Sequence, residues 1–246
     1  MFGFLVAGAI AGRAADPAAD LLAGQEKDCP KCNLPGANLK RFDLRAANLA
    51  GANLGGAILH GANLAGADLA GANLTGANLN KTDLKRADLI GARLGEAMLY
   101  EADLSGADLT RTDLAGAMMG SSHLTFAKLG AANIADADLA DAQMHGAKLR
   151  GADLARSDLS GTTLRRAELV EAHLEAASLV RADLRGADLE HADLRNADLM
   201  RADLTGAVLS GADLKGARLL LARLTDAKLD GADLAGTIMP DGTTHE

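Results

Sequence analysis

Ala62-Asn63-Leu64-Ala65-Gly66-Ala67-Asp68-Leu69-Ala70-Gly71-Ala72-Asn73-Leu74 places a leucine at every fifth residue, with alanine two before it and Asn or Asp immediately before it. Followed outward in both directions, the spacing holds from Leu34 to Met239 without one slip of register. That makes 42 repeats, and every one carries Leu except those of Met119, Ile134, Met144 and Met239. The position two before the aliphatic is small throughout: Ala in most repeats, and Thr82, Thr112, Ser122, Ser157, Thr162 and Thr237 in others. Only Cys32 and Phe42 depart from it. The unit is A-(D/N)-L-x-x, with Gly frequent in the last place, as at Gly56, Gly66, Gly76 and Gly106.

A period of five fits neither regular element. On an α-helix each step of five advances about 140° past a full turn, so the leucines spiral round every face. On a strand an odd step sends successive leucines to opposite faces. What collects them is a chain that turns by the same angle every five residues, stacking coil on coil with the leucines inside. Gly, Asn and Asp suit such turns because they tolerate left-handed backbone and form local side-chain hydrogen bonds. The composition agrees: with no Trp, one Tyr and four Phe, the core must be built from Leu and Ala.

These repeats resemble those of the pentapeptide-repeat proteins, over about residues 32–239. The resemblance implies an all-β, right-handed quadrilateral β-helix with four repeats per coil, about ten coils and a rod on the order of 50 Å long. It implies a core ladder running through Leu34, Leu54, Leu74, Leu94, Leu114, Ile134, Leu154, Leu174, Leu194, Leu214 and Leu234. It also implies that every twentieth residue stacks, which sorts the outward residues into four faces. Some members of the family resemble B-DNA in width and charge and act on DNA gyrase, as inhibitors or as protectors against quinolones. The protectors typically carry loops that interrupt the coils, and this chain has none.

Four segments follow. Residues 1–15 are an N-terminal segment containing Phe2 to Gly12, an apolar run too short to span a bilayer as a helix. It reads as a signal-peptide core lacking its basic start, which places the protein in the periplasm or outside the cell, or else as a cap on a cytoplasmic protein. Residues 16–31 are an N-terminal cap: Asp16-Pro17-Ala18-Ala19-Asp20-Leu21-Leu22 reads as a short helix covering the first coil with Leu21 and Leu22. Residues 32–239 are the repeats, and residues 240–246 are a turn and tail that leave the C-terminal end poorly covered.

Cys29 and Cys32 form a C-P-K-C pair just before the repeats. It is read as a small structural disulfide or two buried thiols, since a metal site needs about four ligands. His60, His123, His145, His173, His191 and His245 fall on different faces or levels, and only His123, Phe126 and His145 come near one another. No nucleophile motif, phosphate loop or cofactor fingerprint is present, so neither catalysis nor a bound cofactor is expected.

Function must then lie on the faces. One face gathers apolar outward residues that the core does not need: Ile58, Met98, Tyr100, Met118, Val180, Met200, Leu220 and Leu221. It marks an expected contact with a protein partner, a second copy through the C-terminal end above all. The net charge of -8 argues against direct nucleic-acid binding. The faces of Leu34 and Leu49 carry eight acids against four bases and eight against five, -7 together, while the other two are nearly balanced. Seventeen aspartates stand immediately before the aliphatic, read as caps of the turns or, in the resemblance to B-DNA, as a row of phosphates. The sequence thus points to a non-enzymatic rod-shaped scaffold or interaction module, with a DNA-mimicking regulator of gyrase as the alternative.

Overall fold

The structure is a computed structural model that describes residues 17–246; residues 1–16, and with them the expected leader and the Asp16 cap, lie outside the described residues. Parallel bridges join Asn33 to Asn53, Asn53 to Asn73, Ile58 to Asn78 and so on up the chain to Arg218 and Ile238, always between residues twenty apart. Four pentapeptides therefore complete one coil. The all-β expectation takes an economical form here: each side of the coil contributes a single bridged residue between two turns, and no longer strand develops.

The turn is where the repeat length is fixed. The N–H of each small residue donates to the carbonyl of the aliphatic three before it, as Ala57 to Leu54 at 2.9 Å. The third residue of that turn then lies in the left-handed region, as a type II turn requires. All 42 such positions from Lys31 to Gly236 have φ between 52° and 71°. Glycine fills 19 of them and other residues 23, among which no Val, Ile or Thr occurs. Left-handed backbone costs a side chain about 1–2 kcal/mol, and branching at Cβ makes it worse.

The remaining N–H groups of a repeat can be followed one by one. That of Asn53 donates down to Cys32, that of Leu54 up to Asn73, and that of Gly56 up to Thr75, at 2.8, 2.7 and 2.9 Å. The fifth, on the residue after the aliphatic, has no backbone acceptor, and here the Asn or Asp acts: Asn63 Oδ1 accepts from Ala65 N at 3.1 Å and Asp68 Oδ1 from Ala70 N at 3.0 Å. Of the 25 repeats with Asn or Asp in that place, 24 make this bond. The exception is Asn33, whose target position is Pro35, a residue with no N–H to give.

Inside, the 38 ladder residues from Leu34 to Leu219 are at most 3% exposed, with the alanines beside them equally buried from Ala47 to Ala217. Thr82, Thr112 and Thr237 keep their buried hydroxyls in that row by donating to a ladder carbonyl of the previous coil. Ser157 and Thr162 donate within their own turn. Ser122 Oγ has no partner among the described residues.

The two ends differ. At the N-terminus α1 (Pro17–Leu22) lays Leu21 fully into the first coil, but Leu22 points away and is 45% exposed, so one leucine of the expected pair does the covering. At the C-terminus the chain turns at Pro240–Gly242 and comes back antiparallel, pairing Thr244 with Ile238 and covering one side of the last coil. The other three sides stay open, and Leu224, Leu229 and Leu234 are only half-buried.

Three substitutions test this account. Leu139→Lys buries an unpaired ammonium at mid-rod and should lower unfolding free energy by about 3–5 kcal/mol, read from melting curves; an unchanged melting temperature contradicts the inward ladder. At the corners, Gly66→Val should cost about 2 kcal/mol. Glu96→Gly should stabilise by about 0.5 kcal/mol, the strain relieved less the added flexibility of the unfolded chain.

Candidate functional site

Cys29 and Cys32 are joined by a disulfide, with their Cα atoms 5.4 Å apart. The repeat explains why the pair fits. Cys29 stands five residues before Leu34, in the ladder position, and Cys32 in the small-residue position, the two inward-facing places across one corner. Cys29 N donates to Asn48 O and Lys31 N to Ala50 O, the bonds that the later repeats make up to Leu219 and Leu221, and Lys31 has the left-handed φ of 57°. The solenoid thus begins one rung earlier than the leucine count suggests, and a signal was present in Asp28-Cys29 standing where Asn-Leu stands elsewhere.

The apolar face resolves into two groups. Ile58, Tyr100 and Met118 are exposed, with Met98 half-buried and bridged to Met118 in the next coil. Sixty residues further on, Val180, Met200 and Leu220 stack in three successive coils, all half-buried, beside Leu221 at 55% exposure. Between the groups the same face carries Asp138, Asp141, Asp158, Ser160 and Ser178. The face expected as one surface is two, and the second adjoins the open end: Gly242 of the returning tail passes against Leu220. At that end the N–H groups of Leu224, Asp226, Leu229, Gly231 and Leu234 have no acceptor among the described residues.

The acidic side is in part self-paired. Beyond capping their turns, the aspartates meet neighbouring cations: Arg156 makes two bonds of 2.7 Å to Asp136, Arg195 reaches Asp193 and Glu175, and Lys215 reaches Asp233 at 2.8 Å. The Arg195 guanidinium holds the Asp193 carboxyl below the usual range, helped by the turn N–H of the same residue. On the opposite side Arg45 does the same to Asp43. At Asp103 burial works the other way and is outweighed by Ser105 and Lys85. Exposed pairs of this kind add little stability each, at most about 1 kcal/mol. Their effect is to pair about half of the carboxylates on that side, while Asp68, Asp88, Asp113, Asp153 and Asp188 have no cation within salt-bridge distance.

Of the histidine and phenylalanine group, the structure brings two members together. The Phe126 and His145 rings meet edge to face with centroids 5.3 Å apart, whereas His123 bridges to Gln143 instead. Phe126 is 61% exposed, the most exposed large apolar residue described. Among the described residues no group of three or more His, Cys, Asp or Glu is placed to hold a metal ion, and no helix is long and apolar enough to cross a membrane.

Comparison with known proteins agrees with this architecture. The model of the family described as Pentapeptide repeats matches residues 31–61, 57–95, 87–125, 127–166, 167–206 and 202–239. No curated protein sequence matches significantly. Among solved structures, HetL from the cyanobacterium Nostoc sp. strain PCC 7120, a pentapeptide repeat protein involved in heterocyst differentiation regulation, is 38% identical. The match has a TM-score of 0.65 and covers 84% of this chain and 94% of that one. Rfr23 from the cyanobacterium Cyanothece 51142 is 33% identical over 44% of this chain and 64% of its own, at a TM-score of 0.30. QnrB1, a plasmid-mediated fluoroquinolone resistance protein, is 20% identical over 61% and 85%, at 0.47. The unbroken five-residue register, the twenty-residue coil and the family match lead to one conclusion: this chain belongs to the pentapeptide-repeat family.

Proposed function

We propose that the protein is a non-enzymatic, right-handed β-helical rod that works by presenting surfaces to other proteins, and that its first partner is a second copy of itself docked at the C-terminal end. The observation that carries this reading is the apolar stack of Val180, Met200, Leu220 and Leu221 on successive coils. Five unbonded backbone N–H groups ring a core whose Leu224, Leu229 and Leu234 are half-exposed, and the apolar stack of Val180, Met200, Leu220 and Leu221 runs up to it. Unpaired edges of this kind are templates for pairing, and an apolar patch beside one adds the area that an interface needs. The similarity to HetL, described as involved in heterocyst differentiation regulation, supports a binding role. Export follows if the apolar segment at Phe2–Gly12 acts as a leader.

The alternative, a DNA mimic that acts on gyrase, would rest on the acidic side formed by the faces of Leu34 and Leu49. That side also carries Arg93, Arg156, Arg195 and Lys215, and the last three neutralise its own carboxylates. A gyrase supercoiling assay with and without quinolone, unchanged at tens of micromolar protein, is the outcome the scaffold reading requires.

For the docking surface, Leu220→Arg with Leu221→Arg should convert a dimer into a monomer in light scattering while leaving the melting temperature nearly unchanged, since both side chains are outside the ladder. A wild-type monomer at high concentration contradicts the proposal.

A further inference from the structure

One corner of the rod carries a pattern that the other three lack. At the corner that follows the ladder side of Leu44, the left-handed residues in successive coils are Ala46, Gly66, Arg86, Gly106, Phe126, Gly146, Arg166 and Gly186, so that large side chains alternate with glycine. Each large side chain folds toward the glycine of the next coil. A Cβ on Gly146 would come within 2.5 Å of the Phe126 ring, and Cβ atoms on Gly106 and Gly186 would stand 3.6 and 3.8 Å from the Cγ atoms of Arg86 and Arg166. The result is a row of guanidinium, phenyl ring and guanidinium, two coils or about 9.6 Å apart.

Nothing in the fold calls for this row. Phe126 bears the strain of a bulky residue at φ 57° and gains no burial for it. Its ring is set in orientation by the edge-to-face contact with His145. Arg86 and Arg166 have no carboxylate partner among the described residues, whereas their neighbours Lys85 and Arg165 are paired with Asp103 and Asp183. In a protein of net charge -8, residues 123–128, 143–148 and 163–167 contain no acid at all, while they hold Lys128, Lys148, Arg165 and Arg166. Between Arg86 and Phe126 lies an open depression of about 420 Å³ lined by Arg86, Ser105, Gly106, Thr125 and Phe126. A second, lined by Ala65, Gly66, Lys85, Arg86 and Ser105, extends it along the same corner.

We propose that this corner binds a short acidic segment of a partner protein in the polyproline II conformation, with acid, apolar and acid side chains at every third residue. That conformation has three residues per turn and rises about 3.1 Å per residue, so every third side chain projects from one face at about 9.3 Å, close to the spacing of Arg86, Phe126 and Arg166. The two acids meet the free guanidinium groups and the central apolar side chain packs on the Phe126 ring in the depression beside it. Seven residues span about 19 Å, which is also the four coils from Arg86 to Arg166. Asp103 and Asp108 on one side, and Glu168 and Asp183 on the other, bound the acid-free stretch, with Arg86 one coil beyond the first pair, so the corner suits a short motif with separated acids rather than a long polyanion.

The test is fluorescence titration of the full protein with the synthetic peptide Glu-Pro-Pro-Trp-Pro-Pro-Glu, beside Glu-Pro-Trp-Pro-Glu, in which the spacing is wrong, and a dT12 oligonucleotide. Phe126→Gly, Arg86→Gly and Arg166→Gly serve as variants, each of which removes the side chain while easing its left-handed backbone, so the rod stays folded by its melting curve. The proposal expects saturable binding of the first peptide, weakened at least about tenfold by each variant and by the shortened spacing. It is overturned if the peptide fails to bind, if the variants or the spacing make no difference, or if dT12 alone binds through these residues.

Discussion

The interaction on which the rest depends is the four-residue turn closed by the N–H of each small residue onto the carbonyl of the aliphatic before it, with its third residue held left-handed. Because that turn recurs every five residues, the chain rotates by the same amount 42 times and every fourth repeat returns to its starting side. Burial of the leucines follows from the rotation, and so does the pairing of coil with coil. The Asn or Asp before each aliphatic belongs to the same device: it takes the one N–H of the repeat that no carbonyl can reach. A single corner in the wrong conformation would throw every later leucine off the ladder, which is the physical reason no β-branched residue sits at any of the left-handed places.

Much of this was legible in the residues, because period five excludes both helix and strand and leaves only a constant turn. The capping role of Asn63 and Asp68 was also legible, as was the weak cover of the last coil. What escaped the sequence depended on where neighbouring side chains go. Leu21 and Leu22 are equivalent as letters, but a six-residue helix can turn only one of them inward. Cys29 was read as lying outside the repeats because a cysteine hides a ladder position that a leucine would have announced. Ile58 and Leu221 share a face by arithmetic, yet the intervening coils at Asp138 and Asp158 divide it. Phe126 could be placed near His123 and His145 from the sequence, but its position above Gly146, in line with Arg86 and Arg166, depends on where the ring goes.

A core this uniform says nothing about purpose, so function is left to departures from uniformity on the outside. Three stand out: the open last coil, the apolar stack that leads to it, and the corner where arginine, phenylalanine and glycine alternate. The acidic aspartates, numerous as they are, are mostly occupied with turns and with neighbouring cations.

The central claim is that residues twenty apart lie side by side. Cysteine pairs test it directly, because a disulfide forms when the two Cα atoms stand about 4.4–6.8 Å apart. Met98→Cys with Met118→Cys, one coil apart at a bridged position, should cross-link quantitatively on mild oxidation. Met98→Cys with Asp113→Cys, fifteen apart, should stay reduced. The reverse result would mean three repeats per coil and would contradict the fold described above.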